Sequence, residues 1–485
     1  MTSSTRTWIV ALAAVVISGS ICLAQDKPAQ PAANQPAIDW VGSWQGTLKI
    51  GPQELRLGFD VTRSDDGKFA ATMDSYDQGA LGMPVKGVEV AGESIKFDVA
   101  AVAGTYDGKW IAADGSIEGT WKQGQMSLSL NLKRGEKPQQ KRPQEPKPPF
   151  PYDAEDVEFA NPQAAGVKLS GTLTLPRGGK SLPVAILISG SGPQDRDEAL
   201  MGHKPFLVLA DHLTRAGMAV LRYDDRGIGK STGNFATSTS EDFVGDALAA
   251  VAYLKTRKEV DPKKIGFIGH SEGGIVGPWA ASQSRDVAFV VMIAGPGVRG
   301  EEILYEQAAL IAKAGGATDE AIETQRSMQR KLFALAREEL TDEEMTTRAE
   351  KSLAEELAKA PGGLTKEVLA QQIKQLNSPW FKLFLRHEPV PILKKVSVPV
   401  LVINGEKDLQ VPPKQNLPVI EKALRDGGNK DVTIVELPEL NHLLQTATTG
   451  SIGEYSQIEE TMAPAALSVM SEWIAKRFGA ASAKP

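Results

Sequence analysis

The segment 269–273 reads Gly-His-Ser-Glu-Gly and directly follows a short apolar run at 264–268. An apolar run of this length indicates a buried strand, and Gly-x-Ser-x-Gly at its end is typical of a sharp turn from that strand into a helix. Such a turn strains the backbone at Ser271, and side chains at Gly269 and Gly273 would clash with it. The pattern therefore predicts a strand–turn–helix unit that holds the Ser271 hydroxyl out at one end of a sheet.

The same turn predicts a backbone donor beside that hydroxyl. The N–H group of Glu272 would lie at the N-terminus of the following helix, where it can donate a hydrogen bond to a developing oxyanion. Ser271 is accordingly the candidate nucleophile, and Glu272 is one candidate for the oxyanion hole.

A serine nucleophile needs a base, and where a serine stands at such a turn the acid and then the base follow it along the chain. Only His387 and His442 follow Ser271 among the five histidines. His442 comes just after 432–437, an alternating run that predicts a late strand, whereas His387 precedes the strand expected to carry the acid. We therefore predict that His442 is the base.

The acid is expected in the loop after the preceding strand. The apolar run 399–403 predicts that strand, and Asp408 and Glu406 lie in the loop that follows it. Asp408 is the first choice and Glu406 the alternative, since either carboxylate could orient the imidazole. In this role Asp408 would fix the tautomer of His442 and stabilise the imidazolium.

A second oxyanion donor is expected from the loop after an earlier strand. The run 183–188 predicts that strand, and 189–193 after it reads Ser-Gly-Ser-Gly-Pro. The predicted donor is the N–H group of Ser191, with that of Gly192 as the alternative. The glycines permit close approach of the backbone to a substrate.

These residues together resemble the α/β-hydrolase superfamily, and most nearly the bacterial carboxylesterases and serine-aminopeptidase-like hydrolases with a helical lid. The resemblance spans about residues 159–478 and includes the stretches 189–197, 224–231 and 453–455. Many relatives carry His-Gly where this chain has Ser189-Gly190. The resemblance implies an α/β-hydrolase fold and a serine esterase or peptidase with the catalytic triad Ser271, Asp408 and His442.

The stretch 224–231 reads Asp-Asp-Arg-Gly-Ile-Gly-Lys-Ser. The resemblance implies that it supports the core near the site rather than taking part in chemistry. We interpret Asp225 and Arg226 as a structural ion pair or a loop scaffold. Gly227 and Gly229 do not indicate a phosphate-binding loop, because the stretch lacks the Walker spacing and its strand–helix context.

Alternation of strands and helices predicts a mostly parallel sheet with helices on both faces, in a hydrolase domain at 152–480. Further strands are predicted at 169–175, 219–223 and 289–294, and helices at 206–216, 240–256 and 463–477.

This alternation stops at 299–388, which we interpret as a helical lid over Ser271. Its helices are predicted at 301–314, 319–337, 342–359 and 365–376. Leu304, Leu310 and Trp380 would line a substrate pocket or, singly, pack between helices.

The first 24 residues are typical of a secretory signal peptide, with Arg6 before an apolar core that is too short to span a membrane. The bulky Ile21 argues against lipid anchoring at Cys22, which is the only cysteine. We therefore expect an exported protein, periplasmic or extracellular, without an integral membrane segment in the mature chain. Residues 25–38, rich in Pro, Ala and Gln, predict a disordered spacer.

Residues 39–134 show short alternating runs separated by Asp-Gly turn pairs, which predict a small antiparallel barrel or sandwich. The similar stretches 42–46 and 119–124 suggest that the first and last strands pair in a closed sheet. Its tryptophans are interpreted as core, with a ligand-gripping role as the alternative. Residues 135–151, rich in Pro, Lys and Gln, predict a stiff linker.

We thus predict an exported serine hydrolase that cleaves carboxylic esters of short to medium acyl groups, without a metal or organic cofactor. A serine aminopeptidase or amidase is the alternative, and Glu301, Glu302 and Glu306 could then hold a substrate ammonium. A surface ligand-binding protein is the non-enzymatic alternative. The net charge of −6 gives no electrostatic case for nucleic acid. The expected partner is a small-molecule ester or a peptide.

Overall fold

The structure is a computed structural model. It describes residues 38–50, 53–64, 66–78, 80–124, 126–137, 141–354 and 366–479. The predicted signal peptide with Cys22, and all of the predicted spacer but its last residue, lie outside the described residues. Within them, one compact unit ends at Lys141 and a second begins at Arg142.

The N-terminal unit contains two five-stranded antiparallel sheets. Its strands are β1 (Gly42–Ile50), β2 (Gln53–Arg63), β3 (Phe69–Ser75), β4 (Ala80–Pro84), β5 (Gly87–Ala91), β6 (Ser94–Val99), β7 (Gly104–Ile111), β8 (Ser116–Gln123), β9 (Met126–Ser129) and β10 (Lys133–Arg134). The sheet orders are β10-β1-β2-β3-β4 and β5-β6-β7-β8-β9.

The predicted pairing of the first and last strands is present between β1 and β10, but the strand of Trp121 is not the last one, and its predicted pairing with the strand of Trp44 is wrong. Strand β1, with Trp44, pairs with β2 and β10, whereas β8, with Trp121, pairs with β7 and β9. The segment from Met126 to Arg134 joins the two, because β9 pairs with β8 in one sheet and β10 pairs with β1 in the other. The sequence stretches around Trp44 and Trp121 are similar because both tryptophans are buried in the core of this unit.

The second unit is built on an eight-stranded sheet of order β11-β12-β14-β13-β15-β16-β17-β18. Its strands are β11 (Tyr152–Ala160), β12 (Lys168–Pro176), β13 (Leu182–Ile188), β14 (Ala219–Tyr223), β15 (Val260–His270), β16 (Phe289–Ile293), β17 (Val400–Gly405) and β18 (Val432–Leu437). The pairs β11–β12 and β12–β14 are antiparallel, and the others are parallel. The predicted mostly parallel sheet is confirmed.

Both faces of this sheet are buried. In β13, Val184 and Ile186 face one apolar cluster, while Ala185 and Leu187 face another. A strand that is covered on both faces has no solvent side, which explains its continuous apolar sequence.

Helices cover the sheet and fill the connections. They are α1 (Pro205–Arg215), α2 (Ser240–Leu254), α3 (Gly273–Gln283), α4 (Gly300–Ala314), α5 (Asp319–Ala336), α6 (Asp342–Ser352), α7 (Lys366–Leu376), α8 (Pro379–Arg386), α9 (Pro389–Leu393), α10 (Pro413–Asp426), α11 (Ile452–Tyr455) and α12 (Pro464–Phe478). Among the described residues, none of these helices is both long and apolar enough to cross a bilayer.

The chain between β16 and β17, residues 294–399, is called the insertion here. Helices α4 to α9 belong to it, and 355–365 of the predicted lid lie outside the described residues. The predicted helices agree with α4, α5, α6 and α7 within the described part. Helix α8 was not predicted, although Ser378 caps its first turn and Pro379 begins it, which is a common helix start.

The end of the predicted linker packs with the second unit. Arg142 donates to the carbonyl oxygens of Gly202, Ser456 and Ile458, and Gln144 bonds to the backbone of Thr461 and Met462. The second unit therefore begins about ten residues before the predicted start at 152, because these polar side chains bind backbone groups of its loops.

Candidate active site

The predicted turn at Ser271 is present. Strand β15 ends at His270, helix α3 begins at Gly273, and Ser271 has φ +52°, which a residue with a side chain rarely adopts. A Cβ atom added to Gly269 would overlap the carbonyl group of Gly273, and one added to Gly273 would overlap the carbonyl oxygen of Ile188. Both glycines are thus required by close backbone contacts, that of Gly269 within the turn, as predicted, and that of Gly273 with strand β13 instead.

His442 and Asp408 lie together in loops at the same end of the sheet. Nδ1 of His442 is 2.8 Å from Oδ2 of Asp408, and both side chains are buried. Oδ1 of Asp408 accepts the N–H groups of Gln410 and Val411, which fixes the carboxylate. With Nδ1–H donating to the carboxylate, Nε2 is the ring atom that carries the lone pair.

The two alternatives for the acid and the base lie elsewhere. Glu406 is exposed, and its carboxylate accepts the N–H of Glu439. His387 packs on the ring of Trp279, and burial lowers the pKa of His387 to about 4. The structure therefore brings Asp408, and not Glu406, into contact with the predicted base.

The loop after β13 passes beside Ser271. A Cβ atom added to Gly190 would lie 3.3 Å from the Cβ atom of Ser271. The N–H of Gly190 donates to Oε1 of Glu198 at 2.6 Å and is therefore committed to the protein. Ser191 is exposed, and Gly192 has φ +104°. This places the backbone that includes the predicted donor of Ser191 next to the candidate nucleophile.

Asp225 holds this loop in place through hydrogen bonds of its carboxylate. Its carboxylate accepts the hydroxyl of Ser189 and the N–H of Gln194. Burial raises the pKa of Asp225 well above its usual range, although these hydrogen bonds oppose the shift. The interpretation of Asp225 as a loop scaffold fits these contacts.

An ion pair between Asp225 and Arg226 is not formed. Arg226 instead binds Asp242 and Asp246 of α2, with Nε 2.7 Å from Oδ2 of Asp246. The side chain of Asp225 thus supports the loop beside Ser271, whereas the side chain of Arg226 binds helix α2.

A buried pair that the sequence did not indicate lies behind Ser271. Nδ1 of His270 is 2.9 Å from Oε1 of Glu198, and Nε2 of His270 is 3.1 Å from the carbonyl oxygen of His442. The rings of His270 and His442 are 4.8 Å apart between centroids. Glu198 and His270 are 72 positions apart in the chain, and no local pattern links them.

The side chain of Glu272 joins the turn to the insertion. Its Oε1 accepts the hydroxyl of Ser240, at the start of α2, and the indole N–H of Trp380 in α8 at 2.7 Å. Burial raises the pKa of Glu272, against the two hydrogen bonds, which lower it. Sequence reasoning assigned a role only to the backbone of this residue.

The loop that carries His442 is held by its own polar network. Oδ1 of Asn441 accepts the N–H groups of Leu443 and Gln445, and the amide nitrogen of Gln445 is 3.0 Å from Nε2 of His203. Burial lowers the pKa of His203 to about 4, so its ring is neutral at physiological pH. In the described parts of the chain, no group of three or more His, Cys, Asp or Glu side chains is placed to hold a metal ion.

Comparison with known proteins agrees with this architecture. The sequence profile of the family described as "Serine aminopeptidase, S33" matches residues 204–447, about half of the chain. The esterase EstD of Thermotoga maritima is 30% identical over 277 residues, which cover 57% of this chain and 58% of that protein. An uncharacterized protein of Mycobacterium tuberculosis is 29% identical over 126 residues, covering 26% of this chain and 41% of the relative. The chain thus spans less than two thirds of the length of these relatives.

A solved structure of an esterase from Pyrococcus furiosus is 18% identical and covers 67% of this chain and 93% of its own, with a TM-score of 0.40. By the family match and the fold, this chain belongs to the serine aminopeptidase S33 family of α/β hydrolases.

Proposed function

We propose that the protein is a serine hydrolase that cleaves carboxylic esters of short to medium acyl groups through an acyl-enzyme. The observation that carries the proposal is the buried Asp408–His442 hydrogen bond in the loops beside the strained turn of Ser271. A buried carboxylate on Nδ1 sets the imidazole tautomer that can accept a proton at Nε2.

In the proposed reaction, Oγ of Ser271 attacks the ester carbonyl carbon while Nε2 of His442 takes the hydroxyl proton. The N–H groups of Ser191 and Glu272 stabilise the oxyanion. His442 then gives its proton to the leaving alcohol, and an acyl-Ser271 ester remains. Water, deprotonated by His442, attacks this ester and releases the acid and the free Ser271 hydroxyl.

The contacts of the three glutamates considered for an aminopeptidase support ester cleavage instead. Each of them is already ion-paired with an arginine of the insertion. The pairs are Glu301 with Arg337, Glu302 with Arg299, and Glu306 with Arg326. A substrate ammonium would have to compete with these guanidinium groups, so the described contacts give no ready anchor for a peptide N-terminus.

We further propose that the insertion is the lid of this site. Its helix α8 reaches the turn through the bond from Trp380 to Glu272. Trp380 stacks on Phe384, with ring centroids 5.3 Å apart and an interplanar angle of 6°. In the proposed lid, this aromatic pair would contribute apolar surface to the acyl-binding site, which favours an ester of an aliphatic or aromatic acid as substrate.

The first test is hydrolysis of a p-nitrophenyl ester series, from acetate to laurate, by the wild type and by Ser271→Ala. We expect turnover by the wild type to fall by about 10⁶-fold in the variant, because the acyl-enzyme cannot form. Ser282→Ala is the matched control, since the Ser282 hydroxyl only donates to the carbonyl oxygen of Trp279 in the same helix. Turnover that survives in Ser271→Ala would refute the proposed nucleophile.

A further inference from the structure

The pair Glu198–His270 connects three backbone segments of the site. Oε1 of Glu198 accepts the N–H of Gly190, in the loop beside Ser271, and also contacts Nδ1 of His270. His270 is the residue immediately before Ser271, and its Nε2 contacts the carbonyl oxygen of His442. The oxyanion loop, the nucleophile turn and the base loop are thus tied together through two side chains.

The protons of the pair follow from its partners. A carbonyl oxygen only accepts, so Nε2 of His270 carries a hydrogen atom and donates it to His442. One further proton lies between Nδ1 of His270 and Oε1 of Glu198, and the pair as a whole is neutral in either position of that proton. Burial alone would lower the pKa of His270, but the Glu198 carboxylate and the His442 carbonyl outweigh it, and the pKa is raised. An imidazolium beside a carboxylate is the form that these contacts favour.

The backbone at Glu198 is strained to make this contact. Glu198 has φ +51°, in the left-handed region that a residue with a side chain seldom occupies, and its side chain is only 2% exposed. Strained residues cost of order 1–3 kcal/mol and cluster at functional sites. Neither Glu198 nor His270 has a step in the reaction proposed above, although both are buried and His270 contacts the backbone of His442.

We propose that Glu198 and His270 are positioning residues, which hold the oxyanion loop at Gly190 and the base loop at His442 in register with Ser271. The inference rests on the proposed hydrolase function. With Gly190 fixed by Glu198, the next N–H group, that of Ser191, is left to face the oxyanion. A misplacement of about 1 Å in such a site can cost about 10²-fold in rate.

Three substitutions separate the two links. Glu198→Gln keeps the shape of the side chain but removes its negative charge: the amide oxygen can still accept the N–H of Gly190, while the imidazolium of His270 loses its counter-ion. In His270→Gln, the longer side chain can still donate to the His442 carbonyl but loses the contact with Glu198. In His270→Asn, the shorter side chain can keep the contact with Glu198 but no longer reaches the His442 carbonyl. His212→Gln is the control, because His212 is a half-buried histidine of α1 whose side-chain partner is Ser471, at 3.0 Å.

The first measurement is of kcat and KM for p-nitrophenyl butyrate, with the concentration of active sites determined by titration with a fluorophosphonate. The second is the affinity for a butyl boronic acid. We expect kcat to fall about 10- to 100-fold in all three variants, since the oxyanion N–H is misplaced rather than removed. KM should change little, and the affinity for the boronic acid, a tetrahedral adduct of Ser271, should fall in parallel with kcat. Glu198→Gln combined with His270→Gln should cost no more than the worse single change, because the two residues act as a unit.

Titration keeps the test valid for a variant that folds poorly, since only competent sites are counted. A kcat per titrated site within about twofold of the wild type in Glu198→Gln and His270→Gln would overturn the positioning role. If Ser271→Ala is inactive in the same assay, the proposed function stands while this inference falls. A wild type that hydrolyses no ester would overturn both.

Discussion

At the scale of single residues, the two carboxylate oxygens of Asp408 have different hydrogen-bond partners. Oδ1 is held by the N–H groups of Gln410 and Val411, while Oδ2 meets Nδ1 of His442. Rotation of the carboxylate would break its hydrogen bonds to the backbone. The turn that contains Asp408 therefore fixes the orientation of the His442 ring.

Replacing Asp408 by Asn should lower kcat for p-nitrophenyl butyrate by about 10⁴-fold, because an amide allows the wrong tautomer of His442. Glu406→Gln is the control, since Glu406 only accepts the N–H of Glu439 and should leave kcat near that of the wild type. The two kcat values, measured side by side, check the assignment. A larger loss in Glu406→Gln than in Asp408→Asn would contradict it.

At the scale of elements, one carboxylate links three helices. Glu272 precedes α3, accepts the Ser240 hydroxyl from α2 and accepts the Trp380 indole from α8 of the insertion. Both donors use Oε1, so an amide oxygen in the same place could accept both. The cost specific to the acid is that of burying its charge.

This cost predicts a pH-dependent stability difference for Glu272→Gln. Because burial raises the pKa of Glu272 in the folded protein, the wild type loses stability as pH rises through that pKa, and the variant does not. The melting temperatures should coincide at about pH 3, where the carboxyl is protonated in both states, and the variant should melt higher at about pH 8.

A gain of about 1 kcal/mol in unfolding free energy would raise the melting temperature by about 2–4 °C. Thermal scans of both proteins across this pH range are the measurement. An equal difference in melting temperature at every pH, or a less stable variant at neutral pH, would show that burial of the Glu272 charge does not lower the stability of the protein. Trp380→Phe, which deletes the indole donor, should destabilise the protein at neutral pH.

At the scale of the whole molecule, the chain divides at Arg142 into two units with separate cores. The candidate catalytic residues and the contacts described around them lie within the second unit. In the first unit, Trp44 and Trp121 are buried, and the exposed large apolar residues among those described are Val41 and Leu81. These tryptophans therefore serve its core rather than an exposed binding surface.

A protein that begins at Arg142 should keep its kcat for p-nitrophenyl butyrate within about twofold of the full chain. One that begins at Tyr152 should melt at a lower temperature, because it lacks the bonds from Arg142 and Gln144 to the loops before α1 and before α12. Esterase assays and thermal scans of the two shortened proteins provide the comparison. A large loss of kcat in the longer one would assign the N-terminal unit a part in the reaction.

The sequence predicted those parts of the molecule that local patterns encode. The apolar runs gave the parallel strands, and the glycines around Ser271 gave the turn, because sterics leave few alternatives there. Strand β11 was missed, although Val157 and Phe159 alternate with acidic residues and were the available signal. Glu198 with His270, and Glu272 with Trp380, could not be predicted, since their pairing depends on how distant loops meet at the end of the sheet.

The insertion leaves the sheet after Ile293 and returns at Val400, and the two strands concerned, β16 and β17, are direct neighbours. The two strands are parallel, so the insertion leaves the carboxyl end of the sheet, where Ser271 lies, and crosses back to the opposite end before β17 begins. The register of the two strands does not depend on the length or sequence of the segment that makes this crossing. Because we propose that this segment is the lid, we expect related chains to differ in substrate where they differ in this segment, while the sterically fixed turn stays as it is.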